Sequence, residues 1–478
     1  MKLWALIPEL IISGLCLVLV AGAGWAKGRW RSATGVVAIL GLLVSVGFTA
    51  RMLLWAPQMV METYAVDGLA NVFKLLLEIG AALALMTMLP YFRGHSQVAH
   101  VPAAVLFATL GGLGISSSMD LTLIILFLQM ISFPCYVLAA IVRADARGLE
   151  ASIKYFIFGA VGLAVMAYGL TFFYGMTGSL DLRAIGRALD GRAPSNGDPL
   201  WVALSLGLVL AGYGFEVTMV PFHAWAPDVI TGATAPVSGF IAVVPKIGAF
   251  AGIIRILYYA MPNALIGWPW LIAILAVVTM TVGNLAALRQ RELKRLLAYS
   301  SIAHAGYILT AVAVLQRSET AAMSIAYYLA AYLFMNLGAF AVVAQLERTF
   351  GTDTFEAVDG MGRGAPITAV VLTIALLSLA GIPPLAGFVG KVFLLQAAID
   401  GRMLWLAVIA AANMVIALFY YLRIIAAMYL KPDTHAYPLI ARRSFAAVHA
   451  LLLAGTLILG VWPGPIAALA RAANNLVR

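Results

Sequence analysis

The sequence predicts an all-α polytopic membrane protein, and two observations lead to that prediction: its composition and the length of its apolar stretches. Of the 478 residues, 63% are hydrophobic and only 10% are charged, whereas about 25% of the residues of a soluble domain are charged. Apolar stretches of about 20 residues, the length of a helix that crosses a bilayer, recur along the whole chain. The stretches between them are too short to form a separate soluble domain.

The apolar stretches predict about fourteen transmembrane helices. Each prediction combines the length of the apolar stretch with the turn residues and charges that bound it. The predicted spans lie at 3–24, 33–55, 66–91, 98–117, 119–142, 151–175, 198–225, 232–259, 268–288, 294–316, 319–347, 366–399, 403–430 and 443–467.

The distribution of Lys and Arg predicts the orientation of these spans. Positive residues near helix ends are retained on the cytoplasmic side. More of them lie in the connections that are cytoplasmic if the first span starts outside, so both termini are expected on the side of the membrane opposite the cytoplasm. We interpret the net charge of +10 as topology and contact with the lipid bilayer, since no basic stripe with interleaved aromatic residues indicates nucleic acid.

The sequence contains no pattern that indicates a cofactor. Cys16 and Cys135 both fall within predicted spans and lack the spacing of metal ligands. No dinucleotide fingerprint or phosphate-binding loop is found, and the glycines lie in apolar spans, where small residues let helices approach closely. We therefore expect no cofactor or metal bound by this chain and no redox chemistry by this chain alone.

Among the charged residues inside apolar spans, four are the main candidates for function: Lys154, Glu216, Lys246 and Lys391. A charge in the middle of a bilayer costs roughly 2.5 to 3.5 kcal/mol on insertion scales, so these residues are expected to face a polar interior and to form an ion path. For Lys154 the alternative is an interfacial pair with Glu150, one turn earlier. Glu216 could either neutralise a neighbouring lysine or carry a proton itself.

Prolines predict breaks next to these charges. Pro221, Pro245 and Pro384 each remove one helical hydrogen bond, and the freed carbonyls require a wet cavity or a protein partner. The breaks near Pro221 and Pro384 stand five helices apart, which is typical of two five-helix transporter repeats that each contain a discontinuous helix.

Two histidines are further candidates for proton relay, because the unperturbed pKa of histidine is near 6.5. His223 follows Pro221 by two residues, and a helix-capping or loop-facing histidine is the alternative. His304 shares a polar face with serine and tyrosine residues, where a hydrated channel wall and a specific relay both remain open. In the third span Asp67, Lys74 and Glu78 occupy one helical face, and we expect an ion pair within that helix.

Several segments resemble the antiporter-like membrane subunits of proton-pumping NADH:quinone oxidoreductase, the respiratory complex I, and most closely its N-type subunits. The resemblance covers most of the chain from about residue 65 to 430. The segments are EASIKYFIFGA, PFHAWAPDV, SGFIAVVPKIGAF, GNLAALRQRELKRLLAYSSIAHAGY, AAYLFMNLGAFAVV, LAGIPPLAGFVGKVFLL and NMVIALFYYLRIIAAMYL.

The resemblance implies fourteen helices with two inverted five-helix repeats, each with a broken helix, and a central polar axis of titratable residues. It divides a single membrane domain, 1–478, into N-terminal helices at 1–97, repeats at 98–260 and 261–430, and a C-terminal helix at 431–478. By position, Lys154, Lys246, Lys391 and His223 match the family's titratable residues. The implied function is proton translocation driven by quinone reduction elsewhere in the complex, beside M-, J- and K-type subunits.

The chain departs from the family pattern at two positions. Gln129 occupies the place of the usual glutamate on the fifth helix, and Glu216 the place of the usual lysine before the first break. Because glutamine does not titrate, we hypothesise that Glu216 pairs with Lys154 instead. The alternatives are a cation/proton antiporter subunit and a structural membrane subunit with an impaired channel.

Overall fold

A computed structural model describes residues 3–24, 30–142, 145–190, 199–261, 267–432 and 439–476. The fold is almost entirely helical, which confirms the predicted fold class. The N-terminal part consists of three long helices, with one antiparallel hairpin between the second and the third. These elements are α1 (Ile7–Ala23), α2 (Trp30–Met52), β1 (Gln58–Val60), β2 (Tyr64–Val66) and α3 (Gly68–Tyr91).

The next seven helices contain the first discontinuous span. Between its two parts, α8 and α9, the chain forms turns over 217–224. The short helix α7 has one apolar and one polar face and was not predicted, because it is too short to span a membrane. The helices are α4 (Val101–Ser117), α5 (Leu121–Ala139), α6 (Ala146–Thr177), α7 (Leu182–Leu189), α8 (Pro199–Glu216), α9 (Trp225–Gly232) and α10 (Ala235–Arg255).

The remaining helices contain the second discontinuous span, formed by α15 and α16 with a break at 381–385. Each of the fourteen predicted spans overlaps a helix or such a pair. Among the described residues, eleven helices, with α8 counted by itself, are long and apolar enough to cross a membrane. The helices are α11 (Trp268–Leu288), α12 (Leu293–Val312), α13 (Ala321–Phe350), α14 (Met361–Gly364), α15 (Pro366–Ala380), α16 (Ala386–Asp400), α17 (Leu404–Leu430), α18 (Leu439–Val461) and α19 (Pro463–Arg471).

The predicted break at Pro245 is wrong. Helix α10 runs through Pro245 without interruption, whereas the breaks near Pro221 and Pro384 are present. Every residue of α10 is buried. Neighbouring helices can support a proline inside a transmembrane helix, so one missing hydrogen bond does not open this helix.

Helices α10 and α13 form the centre of the molecule. They pack against each other, and α3 packs against both. In contrast, α1, α2 and α6 bury only about a third of their most apolar stretch or less, so their outward faces are suited to lipid or to partner subunits. A charged residue on α10 is therefore far from lipid.

The expected ion pair within α3 is also wrong, because each of its charged residues has a partner on another helix. Asp67 accepts from Arg255 of α10 at 2.8 Å, and Lys74 pairs with Glu9 of α1 at 2.6 Å. Glu78 accepts hydrogen bonds from hydroxyl groups of α2. Helical spacing places these residues on one face of α3. Each of them nevertheless pairs with a residue of another helix, which lies closer than its neighbour four residues along α3.

Candidate functional site

Lys246 lies in the middle of α10, and its side chain is bound by neutral oxygen atoms only. Its Nζ donates to the carbonyl oxygen of Ser301 at 2.8 Å, to Ser301 Oγ at 2.7 Å and to Thr218 Oγ1 at 3.2 Å. The residue is 2% exposed. Within the described parts of the chain it makes no salt bridge, so its proton is not held by a carboxylate.

A network of hydroxyl and imidazole groups continues from Lys246 towards the second broken span. Tyr332 donates to Ser301 Oγ at 2.8 Å, and the Tyr332 ring lies 5.3 Å from the ring of His304. The two ring nitrogens of His304 lie within hydrogen-bond distance of Tyr328 and Tyr421, at 2.5 and 3.1 Å. All of these side chains are buried, so α12, α13 and α17 together enclose a polar interior.

Lys391 lies at the far end of this network and binds the broken backbone directly. Its Nζ donates to the carbonyl oxygens of Leu379 and Ala380, at 2.8 and 2.9 Å. These carbonyls belong to the last turn of α15, whose dipole favours a positive charge. Gly381 follows with φ of +89°, and a Cβ there would lie 2.8 Å from the Lys391 side chain. The glycine thus provides both the turn and the space that Lys391 needs.

Glu216 is the last residue of α8 and is 7% exposed. Its Oε1 accepts a hydrogen bond from Ser132 Oγ of α5 at 2.6 Å. It makes no salt bridge to any described residue, and the hypothesis that it pairs with Lys154 is wrong. Gln129 lies on the same helix as Ser132, half-buried, but the hydroxyl of Ser132 is the group that contacts the carboxylate.

Lys154 forms ion pairs with Glu150 at 2.9 Å and with Asp228 at 2.8 Å. Its side chain is 38% exposed. The expectation of a deeply placed charge is wrong for this residue, because α6 begins at Ala146, earlier than the predicted span, and leaves Lys154 only about two turns from the helix end. Asp228, which the sequence analysis did not single out, also contacts Arg295 at 3.3 Å.

These charges line a polar pocket of about 220 Å³. Helices α6, α9 and α12 contribute its walls, so it lies beside the first broken span. Its lining residues are Arg147, Glu150, Ala151, Lys154, Asp228, Thr231, Gly232, Glu292 and Arg295.

The first break places a further polar side chain, Thr218, against Lys246. Thr218 has φ of +60°, a backbone conformation that is rare outside glycine and is often found at functional sites. Its hydroxyl donates to the Val217 carbonyl oxygen at 2.6 Å and accepts from Lys246. His223 lies in the same turn region and is half-buried, but the hydrogen bonds described for Lys246 and Glu216 do not include it.

The structure therefore brings Glu216, Lys246 and Lys391 into one interior region and leaves Lys154 at its edge. We call the set Glu216, Thr218, Lys246, Ser301, Tyr332, His304, Tyr328, Tyr421 and Lys391 the central row. Most of its members come from helices far apart in sequence. Its tyrosines could not be recognised as site residues from the sequence, because tyrosines in apolar helices also serve as core residues.

Comparisons with known proteins agree with this arrangement. Residues 118–417 match the transmembrane family described as NADH:quinone oxidoreductase/Mrp antiporter. NADH-quinone oxidoreductase subunit N of Chlorobium chlorochromatii is 37% identical over 90% of this chain and 86% of its own length. The subunit N 1 of Solibacter usitatus is 36% identical over 96% of this chain and 94% of its own length. F(420)H(2) dehydrogenase subunit N of Methanosarcina mazei is 34% identical over 99% of this chain and 98% of its own length.

Solved structures show the same fold. A chain of respiratory complex I from Thermus thermophilus with bound Aureothin superimposes with a TM-score of 0.79 at 34% identity, covering 97% of this chain and 99% of that one. A chain of the Mrp complex from Dietzia sp. has a TM-score of 0.83 at 20% identity, covering 99% and 97%, which indicates the fold alone. The chain therefore belongs to the NADH:quinone oxidoreductase/Mrp antiporter family of transmembrane subunits.

Proposed function

We propose that this chain is the N-type, proton-translocating membrane subunit of a complex I-type NADH:quinone oxidoreductase in a bacterial inner membrane. One observation carries the proposal: two buried lysines, Lys246 and Lys391, have no carboxylate partner among the described residues, and buried polar side chains occupy the interior between them. These side chains begin with Ser301 at Lys246 and reach Tyr307, whose ring lies 5.1 Å from Lys391 Nζ. Buried ionisable groups in membrane helices typically mark ion pathways. The chain supplies this path, and quinone reduction takes place in other subunits.

In this proposal a proton moves along the central row by transfer between neighbouring polar groups. The Lys246 ammonium releases a proton through Ser301 and Tyr332, and His304 passes it on between Tyr328 and Tyr421. A neutral Lys391 accepts the proton at the far end. Where two groups stand further apart than a hydrogen bond, as Tyr332 and His304 do, a bridging water completes the transfer. Each lysine alternates between the charged and the neutral form.

The two ends of the central row hold charge by different means. At Lys391 the carbonyl oxygens at the end of α15 stabilise the ammonium form. At Glu216 the hydrogen bond from Ser132 stabilises the carboxylate without a positive partner. We assign Glu216 as a proton carrier, and Lys154 as the inlet at the pocket that it lines, with Glu150 and Asp228 as its two ion-pair partners. His223 serves as a relay beside the first break.

The proposed assembly follows the family. The chain sits among the other membrane subunits of the complex, with M-type and J- and K-type neighbours, and contacts lipid through the outward faces of α1, α2 and α6. Both termini lie on the periplasmic side. No cofactor is assigned to the chain. The species that it transports is the proton.

The test replaces Lys246 with alanine in the complete complex, reconstituted into sealed vesicles. We expect proton translocation through this chain to be lost, which lowers the proton-to-electron ratio of the complex, since a proton-transfer group is removed. The control is Lys431→Ala, because Lys431 has an exposed side chain that pairs with Asp359 at 3.0 Å. An unchanged proton-to-electron ratio in Lys246→Ala would overturn the proposal and favour a structural role. Dependence of translocation on sodium would favour a cation/proton antiporter.

A further inference from the structure

A second group of buried ionisable side chains lies in the N-terminal helices, apart from the central row. Glu9 of α1 and Lys74 of α3 form an ion pair at 2.6 Å, and Glu78 lies one turn after Lys74. Lys74 and Glu78 are fully buried, and the Glu9 side chain is 14% exposed. We call Glu9, Lys74 and Glu78 the N-terminal cluster. Nothing in the proposed proton path makes use of it.

The N-terminal cluster contains two carboxyl groups and one ammonium group. The other buried ion pair nearby is complete in itself, because both carboxylate oxygens of Asp67 accept from Arg255, at 2.8 and 3.2 Å. It therefore cannot neutralise Glu78. Since Lys74 is already paired with Glu9, a charged Glu78 would be a buried carboxylate without a counterion, which is costly. The cluster is electrically neutral when Glu78 carries a proton.

The contacts of Glu78 fit the protonated form. Ser45 and Thr49 of α2 donate to its Oε1 at 2.6 and 3.1 Å. Its Oε2 is buried and has no hydrogen-bond partner among the described residues. A carboxylic acid has one oxygen that accepts and one that bears the proton, so Oε2 is the atom that would bear it.

A polar route leads from Glu78 to the protein surface. Lys74 lies between Glu78 and Glu9, and the hydroxyl of Tyr64 donates to Glu9 Oε1 at 2.7 Å. Glu9, Thr63 and Tyr64 line a pocket of about 400 Å³ beside the hairpin. The other walls of this pocket are apolar, so Glu9, Thr63 and Tyr64 are the side chains there that can bind water. Glu9 thus stands between the buried part of the cluster and the pocket.

The N-terminal cluster is separate from the central row although the two lie at the same level. Gly80 packs against Val244, and Leu77 packs against Gly248, which shows that α3 and α10 run antiparallel. Glu78 is therefore level with Lys246. The two side chains point away from each other, however, because Lys246 binds Ser301 of α12 and Glu78 binds hydroxyls of α2.

From this geometry we infer that Glu78, together with Glu9 and Lys74, forms a second proton-binding site that exchanges its proton through the pocket beside Glu9. The proton leaves Oε2 of Glu78 and binds the carboxylate of Glu9. Lys74 then exchanges its partner and pairs with the newly charged Glu78, so the total charge of the cluster is unchanged. Glu9 finally releases the proton to water in the pocket, and uptake follows the reverse order.

The test is an infrared difference spectrum of the purified, resting complex, recorded between H2O and D2O buffers. A protonated carboxyl group gives a carbonyl stretch that shifts when its proton is exchanged for deuterium. We expect this band in the unmodified complex and its loss in Glu78→Gln, whose amide retains the hydrogen bonds from α2. Glu356→Gln, at an exposed glutamate, is the matched control and should keep the band. A Glu78→Gln spectrum identical to that of the unmodified complex would overturn the inference.

Two further variants leave Glu78 in place. In Glu9→Gln, Lys74 loses its counterion and should pair with a charged Glu78. The band should therefore disappear although Glu78 itself is not substituted. In Lys74→Met both carboxyl groups lose their counterion, and the band should grow. A purely structural ion pair would leave the band unaffected in both variants, and that result would also overturn the inference.

A cysteine probe tests the route. Thr63→Cys, modified with a charged thiol reagent, should slow the deuterium shift of the band several-fold. The control is Thr122→Cys, at an exposed position that does not line the pocket, and it should leave the rate unchanged. Equal rates in both variants would rule out the pocket as the route. None of these measurements requires turnover, so their outcome is independent of the Lys246→Ala test.

Discussion

In the two broken spans, the carbonyl oxygens at the break accept hydrogen bonds from different kinds of donor. At the first break the indole Nε1 of Trp225 donates to the carbonyl oxygen of Phe215 at 3.1 Å, and the hydroxyl of Thr218 donates to that of Val217. Both donors are neutral. At the second break the donor is the ammonium group of Lys391, which binds two carbonyl oxygens.

Because of this difference, the backbone structure depends on a charged side chain only at the second break. Lys391 cannot lose its proton without weakening its contacts to the end of α15, whereas Glu216 can change its charge while the first break stays satisfied by Trp225 and Thr218. A buried polar group ordinarily serves to form hydrogen bonds with the polar groups around it. At the second break that role and the proton-carrying role belong to the same side chain.

The largest effect is therefore expected for Lys391→Met. The substitution removes a proton carrier and leaves the carbonyl oxygens of Leu379 and Ala380 without a donor, at a cost of about 1 to 3 kcal/mol each. We expect coupled proton translocation to be lost and the thermal stability of the complex to fall. Both are measured on purified, reconstituted complex.

Lys391→Arg sharpens the same prediction. Arginine retains the positive charge and the donors but does not release its proton. We expect Lys391→Arg to recover stability in part while translocation stays lost. Normal translocation by either variant would contradict the dual role of Lys391.

The next effect in size is expected for Glu216→Gln. A glutamine can still accept the hydrogen bond from Ser132, so assembly and stability should change little, but the side chain no longer titrates. Proton translocation per electron should fall several-fold, whereas quinone reduction in uncoupled membranes should persist. A variant that translocates as the unmodified complex does would show that Glu216 is a structural group.

The sequence predicted the spans and two of the three breaks because both depend on local composition. Apolar length determines a span, and Pro221 and Pro384 act on the backbone next to them. Pro245 has the same local chemistry, yet α10 continues, because the support comes from surrounding helices that no local pattern describes. The rare charges at Lys246 and Lys391 were visible for the same reason, since a lysine among apolar residues stands out.

Among the partners of these charges, only Glu150, one turn before Lys154, could be named from the sequence. Asp228 lies 74 residues after Lys154. Glu216 was expected as the partner of Lys154 because Gln129, which cannot titrate, stands in the place of the family's usual glutamate. Tyr332 and Tyr421 resemble ordinary core tyrosines in sequence. Their place in the central row depends on how α12, α13 and α17 pack together.

A smaller effect is expected for Trp225→Phe, which tests the first break, where the hydrogen-bond donors are neutral. Phenylalanine should preserve the stacking on Tyr155, whose ring lies 4.3 Å away at 8°, but it cannot donate to the Phe215 carbonyl oxygen. We expect a loss of stability of about 1 to 3 kcal/mol with nearly normal translocation. Thermal unfolding of the purified complex measures the loss. If translocation fell as far as in Lys391→Met, the contrast between the two breaks would disappear.

The smallest effect is expected for Asp228→Asn at the pocket that also contains Lys154. Two ion pairs are lost, but the side chains of Asp228 and Lys154 are 36% and 38% exposed, and pairs at such positions contribute about 1 kcal/mol or less because water and salt screen them. The difference in thermal stability from the unmodified complex should be detectable at low ionic strength and vanish at high salt. Translocation should change less than twofold, since Lys154 keeps Glu150 as a partner. A larger, salt-independent loss of translocation would show that Asp228 acts inside the central path and that the first break depends on charge as well.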